Sequence, residues 1–125
     1  MPVRSLNSSV LTWPDRQTVE RAVRRWAEEV ARDRDDIARI GYFGSYARGD
    51  CGVGSDLDLI IVVEDSDQPF ETRAAQWDAT SLPVPADLLV YTRGEWESLG
   101  SGSRFIQTLS REAVWLYIRY RSLRK

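Results

Sequence analysis

The chain has 125 residues, of which 42% are hydrophobic and 29% charged, and its formal net charge is −2. This size and composition are typical of one globular domain, which we expect to span residues 1–125 with a core from about 15 to 118. The chain contains no histidine, which excludes histidine-dependent catalytic triads and histidine-ligated zinc, and its acidic balance argues against direct nucleic-acid binding.

The apolar stretches of the chain are too short to cross a membrane. The longest strongly apolar run is Leu59–Val63, whereas a membrane-spanning helix needs about 20 apolar residues. The first fifteen residues contain no continuous apolar segment of the kind found in secretory signals. We therefore expect a soluble cytoplasmic protein without membrane contacts.

An amphipathic helix is predicted from Asp15 to about Arg32. Apolar residues recur there at helical spacing and form one stripe: Val19, Ala22, Val23, Trp26, Ala27 and Val30. The remaining surface is rich in arginine and glutamate, with pairs four residues apart such as Glu20 and Arg24. This pattern favours a solvated, charge-paired face over a nucleic-acid contact.

The rest of the chain alternates between β-leaning and helical patterns, without a repeat, a low-complexity tract or a domain linker. In chain order we predict a strand over Ile37–Phe43, a strand over Leu57–Glu64, a helix from Phe70 to about Thr80, a strand over Ala86–Tyr91, a short helix opened by a capping box at Thr92 and Glu95, a short helix around Phe105–Leu109 and a final strand over Ala113–Ile118.

The segment Gly44–Gly49 has features of a phosphate-binding turn. It follows directly on the first predicted strand, and its small residues let the backbone approach an anion closely. If a short helix begins near Ser45, the Ser45 hydroxyl and Arg48 one turn later can contact phosphate. Taken alone, such a turn is more often a plain strand-to-helix connection.

Two aspartates at the head of the second predicted strand point to a metal. Asp56 and Asp58 are two residues apart, and side chains at this spacing project from the same face of a strand. Adjacent carboxylates repel each other and therefore favour a compensating cation. Hard divalent metals with oxygen ligands, Mg²⁺ above all, match this chemistry. The alternative is a pair of solvated carboxylates at the start of a strand.

Asp87 is a candidate third oxygen ligand. It stands near the start of the third predicted strand, ahead of an apolar run. The 28 residues between Asp58 and Asp87 accommodate a helix and a return, so the third carboxylate can come back beside the first two.

Together, the segments Gly44–Gly49 and Ser55–Leu59, separated by five residues, resemble the signature of the DNA polymerase beta-type nucleotidyltransferase superfamily. The two halves are far rarer together at this spacing than either is alone. A looser likeness extends from about Ala22 to Leu116. The resemblance implies an α/β (α+β) fold with a mixed sheet of about four strands flanked by helices.

The resemblance also implies roles for individual residues. Asp56, Asp58 and Asp87 would be the catalytic, metal-binding residues, holding two Mg²⁺ ions, with Mn²⁺ as an alternative. By the resemblance, Gly44 and Ser45 would touch the triphosphate of ATP or another nucleoside triphosphate. We expect Arg48 and Ser55 to bind it with them. An acceptor hydroxyl would attack the α-phosphorus in line and release pyrophosphate, and Asp87 would accept its proton.

The small size resembles that of minimal nucleotidyltransferases, which are associated with helical HEPN-domain proteins in toxin–antitoxin pairs. This likeness implies transfer of AMP from ATP to a tyrosine or another hydroxyl of the partner. The main alternative is a non-catalytic antitoxin that keeps the fold and neutralises its partner by contact. A polymerase fragment is a third interpretation, disfavoured by the acidic charge. The complete set of three aspartates favours an enzyme.

Overall fold

The computed structural model describes residues 13–100 and 102–119. Within these residues, four strands and five α-helices follow one another along the chain. In chain order, the elements are helix α1 Arg16–Asp33, strand β1 Ile37–Phe43, helix α2 Ser45–Arg48, strand β2 Leu57–Val63, helix α3 Phe70–Arg73 with a 3₁₀ turn Ala74–Gln76, strand β3 Ala86–Thr92, helix α4 Arg93–Gly100, helix α5 Arg104–Glu112 and strand β4 Val114–Ile118.

The strands form one mixed sheet in the order β3-β2-β1-β4. Strand β1 runs antiparallel to both of its neighbours, whereas β2 and β3 are parallel. Parallel neighbours need a crossover connection, and the segment that contains α3 supplies it. The expected mixed sheet of four strands flanked by helices is therefore confirmed.

Both faces of the sheet are covered, and strand β2 shows how the faces differ. Leu57, Leu59 and Ile61 are fully buried in the core cluster that includes the apolar stripe of α1. Ile60 is equally buried but belongs to a second cluster, with Ile106 and other residues of the α5 side. Because strand side chains alternate between faces, Asp58 shares the α5 face with Ile60.

Helix α1 matches the predicted amphipathic pattern. The Asp15 side chain caps it by accepting a hydrogen bond of 2.8 Å from the Thr18 N–H. The buried residues of the helix all come from the predicted stripe: Val19, Val23, Trp26 and Ala27. None of the described helices is both long and apolar enough to cross a membrane.

The prediction of a helix from Phe70 to about Thr80 was wrong in its length. The α-helical part ends at Arg73, and Trp77 already has an extended backbone with φ −114° and ψ 138°. The Asp78 carboxylate accepts a hydrogen bond of 3.0 Å from the Thr80 N–H, which stabilises a turn. The Asp78 carbonyl accepts the indole N–H of Trp26 at 2.9 Å. These contacts favour a turn over further helix.

The predicted capping box at the start of α4 is confirmed. The Glu95 N–H donates to the Thr92 hydroxyl at 3.1 Å, and the Thr92 N–H donates to Glu95 Oε1 at 3.0 Å. Glu95 also accepts two bonds from Arg73, of 2.7 and 3.0 Å, which lower the pKa of its carboxyl. The Arg73 residue is only 5% exposed and further donates to the Val90 carbonyl at 3.1 Å. This cluster joins α3 and α4 to β3.

We expect Arg73→Met to lower the free energy of unfolding by about 2–3 kcal/mol, because it removes several charge-assisted hydrogen bonds from a buried position. The loss falls short of that for a fully buried pair, since the Glu95 side chain is 40% exposed and water can solvate it. Urea denaturation measures the difference. Arg16→Met, which breaks a more exposed pair with Glu20, should cost less than about 1 kcal/mol. Equal losses of unfolding free energy in both variants would contradict the stabilising role assigned to Arg73.

Candidate active site

The sheet register brings the predicted site residues to one end of the sheet. Strand β1 ends where its antiparallel neighbour β2 begins, so Phe43 pairs with Asp58. Strands β2 and β3 are parallel and in register there, so Asp58 pairs with Asp87. Gly44 follows β1 directly, and β4 begins beside Tyr42 at the same end. Residues far apart in sequence therefore line one end of the sheet.

Gly44 makes the turn from β1 into α2. Its backbone angles, φ 78° and ψ −149°, lie in a region open almost only to glycine. Its carbonyl accepts the N–H groups of Ala47 and Arg48 at 3.0 and 2.9 Å, which closes the first turn of the short helix expected near Ser45. A β-carbon at Gly44 would collide with Asp58 Oδ2. The missing side chain lets the turn lie directly against this carboxylate.

Two clefts open at this end of the sheet, and Asp58 lines both. The first, which we call the Gly44 cleft, measures about 460 Å³ and is lined by Gly44, Ser45, Arg48, Asp56 and Asp58 among others. The second, which we call the Asp87 cleft, measures about 1210 Å³ and has a largely apolar lining around Asp58 and Asp87. Asp56 thus faces one cleft and Asp87 the other, with Asp58 between them.

The three aspartates do not converge on a single point as their side chains stand. Within residues 13–100 and 102–119, no three acidic or cysteine side chains are grouped closely enough to hold one metal ion. Asp56 precedes β2 instead of lying within it, and both Asp56 and Asp87 are exposed. Exposed side chains change rotamer readily, and the all-carboxylate donor set suits a hard divalent cation. The donor set therefore fits such an ion by its chemistry, and the pairing of Asp58 with Asp87 brings two of the three donors to neighbouring positions.

The surroundings of Asp58 disfavour the negative charge of its carboxylate. Burial raises the pKa of Asp58 above its ordinary value, and the neighbouring carboxylates of Asp87 and Asp56 raise it further. Arg48 opposes this effect. Positive charge brought into this site would therefore stabilise the ionised form of Asp58.

The other predicted binding residues differ in their surroundings. Ser45 lines the Gly44 cleft, and among the described residues its hydroxyl has no hydrogen-bond partner. Arg48 lines the same cleft but is paired with Asp50 and with Glu112. Ser55 is not among the residues that line either cleft. Its hydroxyl accepts the Gly52 N–H at 2.9 Å and so stabilises the loop before β2.

Helix α5 contributes several residues to the Gly44 cleft, among them Phe105 and Glu112, which the sequence did not reveal as site residues. Phe105 lines both clefts and is 53% exposed, and Glu112 lines the Gly44 cleft. The apolar spacing of the segment predicted the helix, and its buried side is Ile106 and Leu109. No local pattern marks Phe105 or Glu112, because only the packing of α5 on the sheet brings them to the clefts.

Comparison with known proteins identifies the family of the chain. A family model described as a nucleotidyltransferase domain matches residues 23–116. The fold resembles the crystal structure of a Sulfolobus solfataricus protein assigned provisionally as a nucleotidyltransferase, with a TM-score of 0.60 and 21% sequence identity, over 83% of this chain and 84% of that one. A comparison with curated proteins found no significant match. Because the family model spans most of the chain, including the Gly44 turn and all three aspartates, the chain belongs to the nucleotidyltransferase domain family, within the polymerase beta-type superfamily that its motif indicated.

Proposed function

We propose that this protein transfers a nucleoside monophosphate, with AMP from ATP as the preferred case, to a hydroxyl acceptor in a reaction that depends on divalent metal. The observation that supports this most strongly is the pairing of Asp58 with Asp87 across parallel strands, beside Asp56 and the Gly44 turn. Membership of a nucleotidyltransferase family supports the same reaction class.

The residues of the Gly44 cleft have the chemistry to bind a triphosphate. The Gly44 N–H, the Ser45 hydroxyl and the Arg48 guanidinium are all hydrogen-bond donors on one cleft wall. In our proposal these donors orient the phosphates, so that the α-phosphorus lies toward Asp58. Orientation of this kind supplies much of the rate enhancement in phosphoryl transfer.

The three aspartates would hold the metal, with Mg²⁺ as the preferred ion. A divalent cation, when bound, neutralises charge on the phosphoryl oxygens. Asp58 is central in this proposal because it lines both clefts, whereas Asp87 lies on the side from which an acceptor can approach. Asp87 is exposed there and is the candidate to accept the proton of the attacking hydroxyl.

The acceptor is proposed to be a hydroxyl of a partner protein. The Asp87 cleft is the larger of the two and is mostly apolar, with Trp77, Leu82 and Val84 among its lining residues, which suits a protein side chain. The likeness to minimal nucleotidyltransferases makes a helical HEPN-domain protein in the cytoplasm the first partner to test.

Intact-mass measurement tests both the chemistry and the acceptor. The protein is incubated with ATP, Mg²⁺ and a purified HEPN-domain protein, and pyrophosphate release is followed in parallel. We expect the partner to gain the mass of one or more AMP groups, and chelation of the metal should abolish the gain. An unchanged partner mass without pyrophosphate release would overturn the proposal. Tight binding without modification would instead support the non-catalytic antitoxin.

A further inference from the structure

The carboxylate of Glu112 occupies one corner of the Gly44 cleft. Its Oε1 accepts a hydrogen bond of 3.4 Å from the Gly44 N–H, and its Oε2 lies 3.0 Å from Arg48 Nη1. Both of these donors are groups that the proposed function assigns to the triphosphate. A carboxylate and a phosphate present similar oxygens to such donors. Glu112 therefore stands where a phosphate oxygen would be expected.

The stability of helix α5 does not account for this position. Glu112 is the last residue of the helix, where the backbone carries partial negative charge and a carboxylate is unfavourable. Its side chain is also only 23% exposed, so it is partly desolvated. The carboxylate of Asp58 lies near enough for the two negative charges to repel. The contacts with Gly44 and Arg48 are what offsets these costs.

We propose that Glu112 competes internally with the triphosphate for the Gly44 N–H and the Arg48 guanidinium, and that nucleotide binding displaces its side chain. This inference rests on the proposed function. Glu112 ends the helix that also carries Phe105. Displacement of the Glu112 side chain by the nucleotide therefore links triphosphate binding to the position of α5 over the clefts. Glu112 thereby sets the affinity of the site without taking part in the chemistry.

Calorimetric titration with inorganic tripolyphosphate in the presence of Mg²⁺ isolates the phosphate contacts from those of the base and sugar. We expect Glu112→Gln to bind tripolyphosphate about 3- to 10-fold more tightly than the unmodified protein, because the neutral amide is a weaker competitor. Glu112→Asp retains the charge on a side chain one methylene shorter. It should also bind more tightly, since the shorter side chain no longer reaches the Gly44 N–H.

Asp50→Asn is the matched control. Asp50 pairs with Arg48 at 3.2 Å and has a side chain that is 62% exposed, whereas the Gly44 N–H donates to Glu112 and not to Asp50. Its replacement removes one charge beside the same arginine and should change the affinity by less than about 2-fold. Thermal unfolding of each variant verifies that the fold persists.

The outcomes separate the two proposals. If the unmodified protein binds tripolyphosphate and Glu112→Gln binds it equally or less tightly, this inference alone is overturned. If Glu112→Gln gains affinity for tripolyphosphate but Glu112→Asp does not, or if Asp50→Asn gains as much, the effect is one of general charge. Either result would also overturn this inference. If no protein in the set bound tripolyphosphate, the proposed triphosphate site itself would be wrong.

Discussion

Replacement of Asp58 by asparagine is expected to lower nucleotidyl transfer by about 10³-fold and, at the same time, to raise the thermal stability of the metal-free protein. The loss of activity follows from the position of Asp58 in both clefts, between Asp56 and Asp87. In the proposed mechanism Asp58 is a metal ligand, and loss of about 4 kcal/mol of charge stabilisation corresponds to a rate change of that size.

The gain in stability follows from the raised pKa of Asp58, which is caused by burial and by the carboxylates of Asp87 and Asp56. A group whose pKa is raised on folding favours the native state when protonated, so its contribution is full below its ordinary pKa and is lost as the pH rises through the raised value. Asparagine carries no charge at any pH. The stabilisation by Asp58→Asn should therefore be larger at about pH 7 than at about pH 4.

Labelled-nucleotide transfer and the melting temperature as a function of pH measure the two effects. Asp67→Asn is the control, since Asp67 is an exposed aspartate beyond the opposite end of β2. It should change neither the rate nor the pH dependence appreciably. Transfer by Asp58→Asn at the rate of the unmodified protein would remove the central ligand from the proposed mechanism.

Gly44→Ala is expected to lower the free energy of unfolding by about 2–4 kcal/mol and to abolish triphosphate binding. Gly44 has a φ of 78°, which L-residues rarely adopt, and an added β-carbon would collide with Asp58 Oδ2. Relief of that collision requires either the turn or the carboxylate to move. Either movement disturbs the donors and the carboxylate that the site brings together.

Gly94→Ala is the matched control for this substitution. Gly94 lies in the first turn of α4, and a β-carbon there would have no neighbour within 4 Å. Since alanine is the better helix former by about 0.5–1 kcal/mol, this variant should be neutral or slightly more stable. Guanidinium unfolding and calorimetry with ATP compare the pair. Similar behaviour of the two alanine variants would show that the Gly44 turn tolerates a side chain.

Much of the fold could be predicted because its signals are local. The buried stripe of α1 is visible as apolar residues at helical spacing, and the capping box at Thr92 and Glu95 spans only four residues. Strand β1 has the predicted bounds, and β2 ends one residue earlier than expected, at Val63. Propensity and periodicity act over a few residues, so these elements depend little on distant contacts.

The helix predicted as far as Thr80 shows where local signals fail. The spacing of its apolar residues suits a helix, but the buried guanidinium of Arg73 and the turn at Asp78 end it early. Arg73 forms its ion pair with a residue of α4, and the Asp78 carbonyl bonds to a residue of α1. Neither partner is visible in the segment itself.

The sequence by itself determined the family and the chemical types in the site, because the Gly44 turn and the Asp56 and Asp58 pair form a compact motif. Only the tertiary structure decided how these groups meet. The parallel register aligns Asp87 with Asp58, and the packing of α5 brings Glu112 to a glycine 68 positions away. Sequence periodicity describes residues that are neighbours along the chain. Contacts between residues far apart in sequence depend on strand register and on how the helices pack against the sheet.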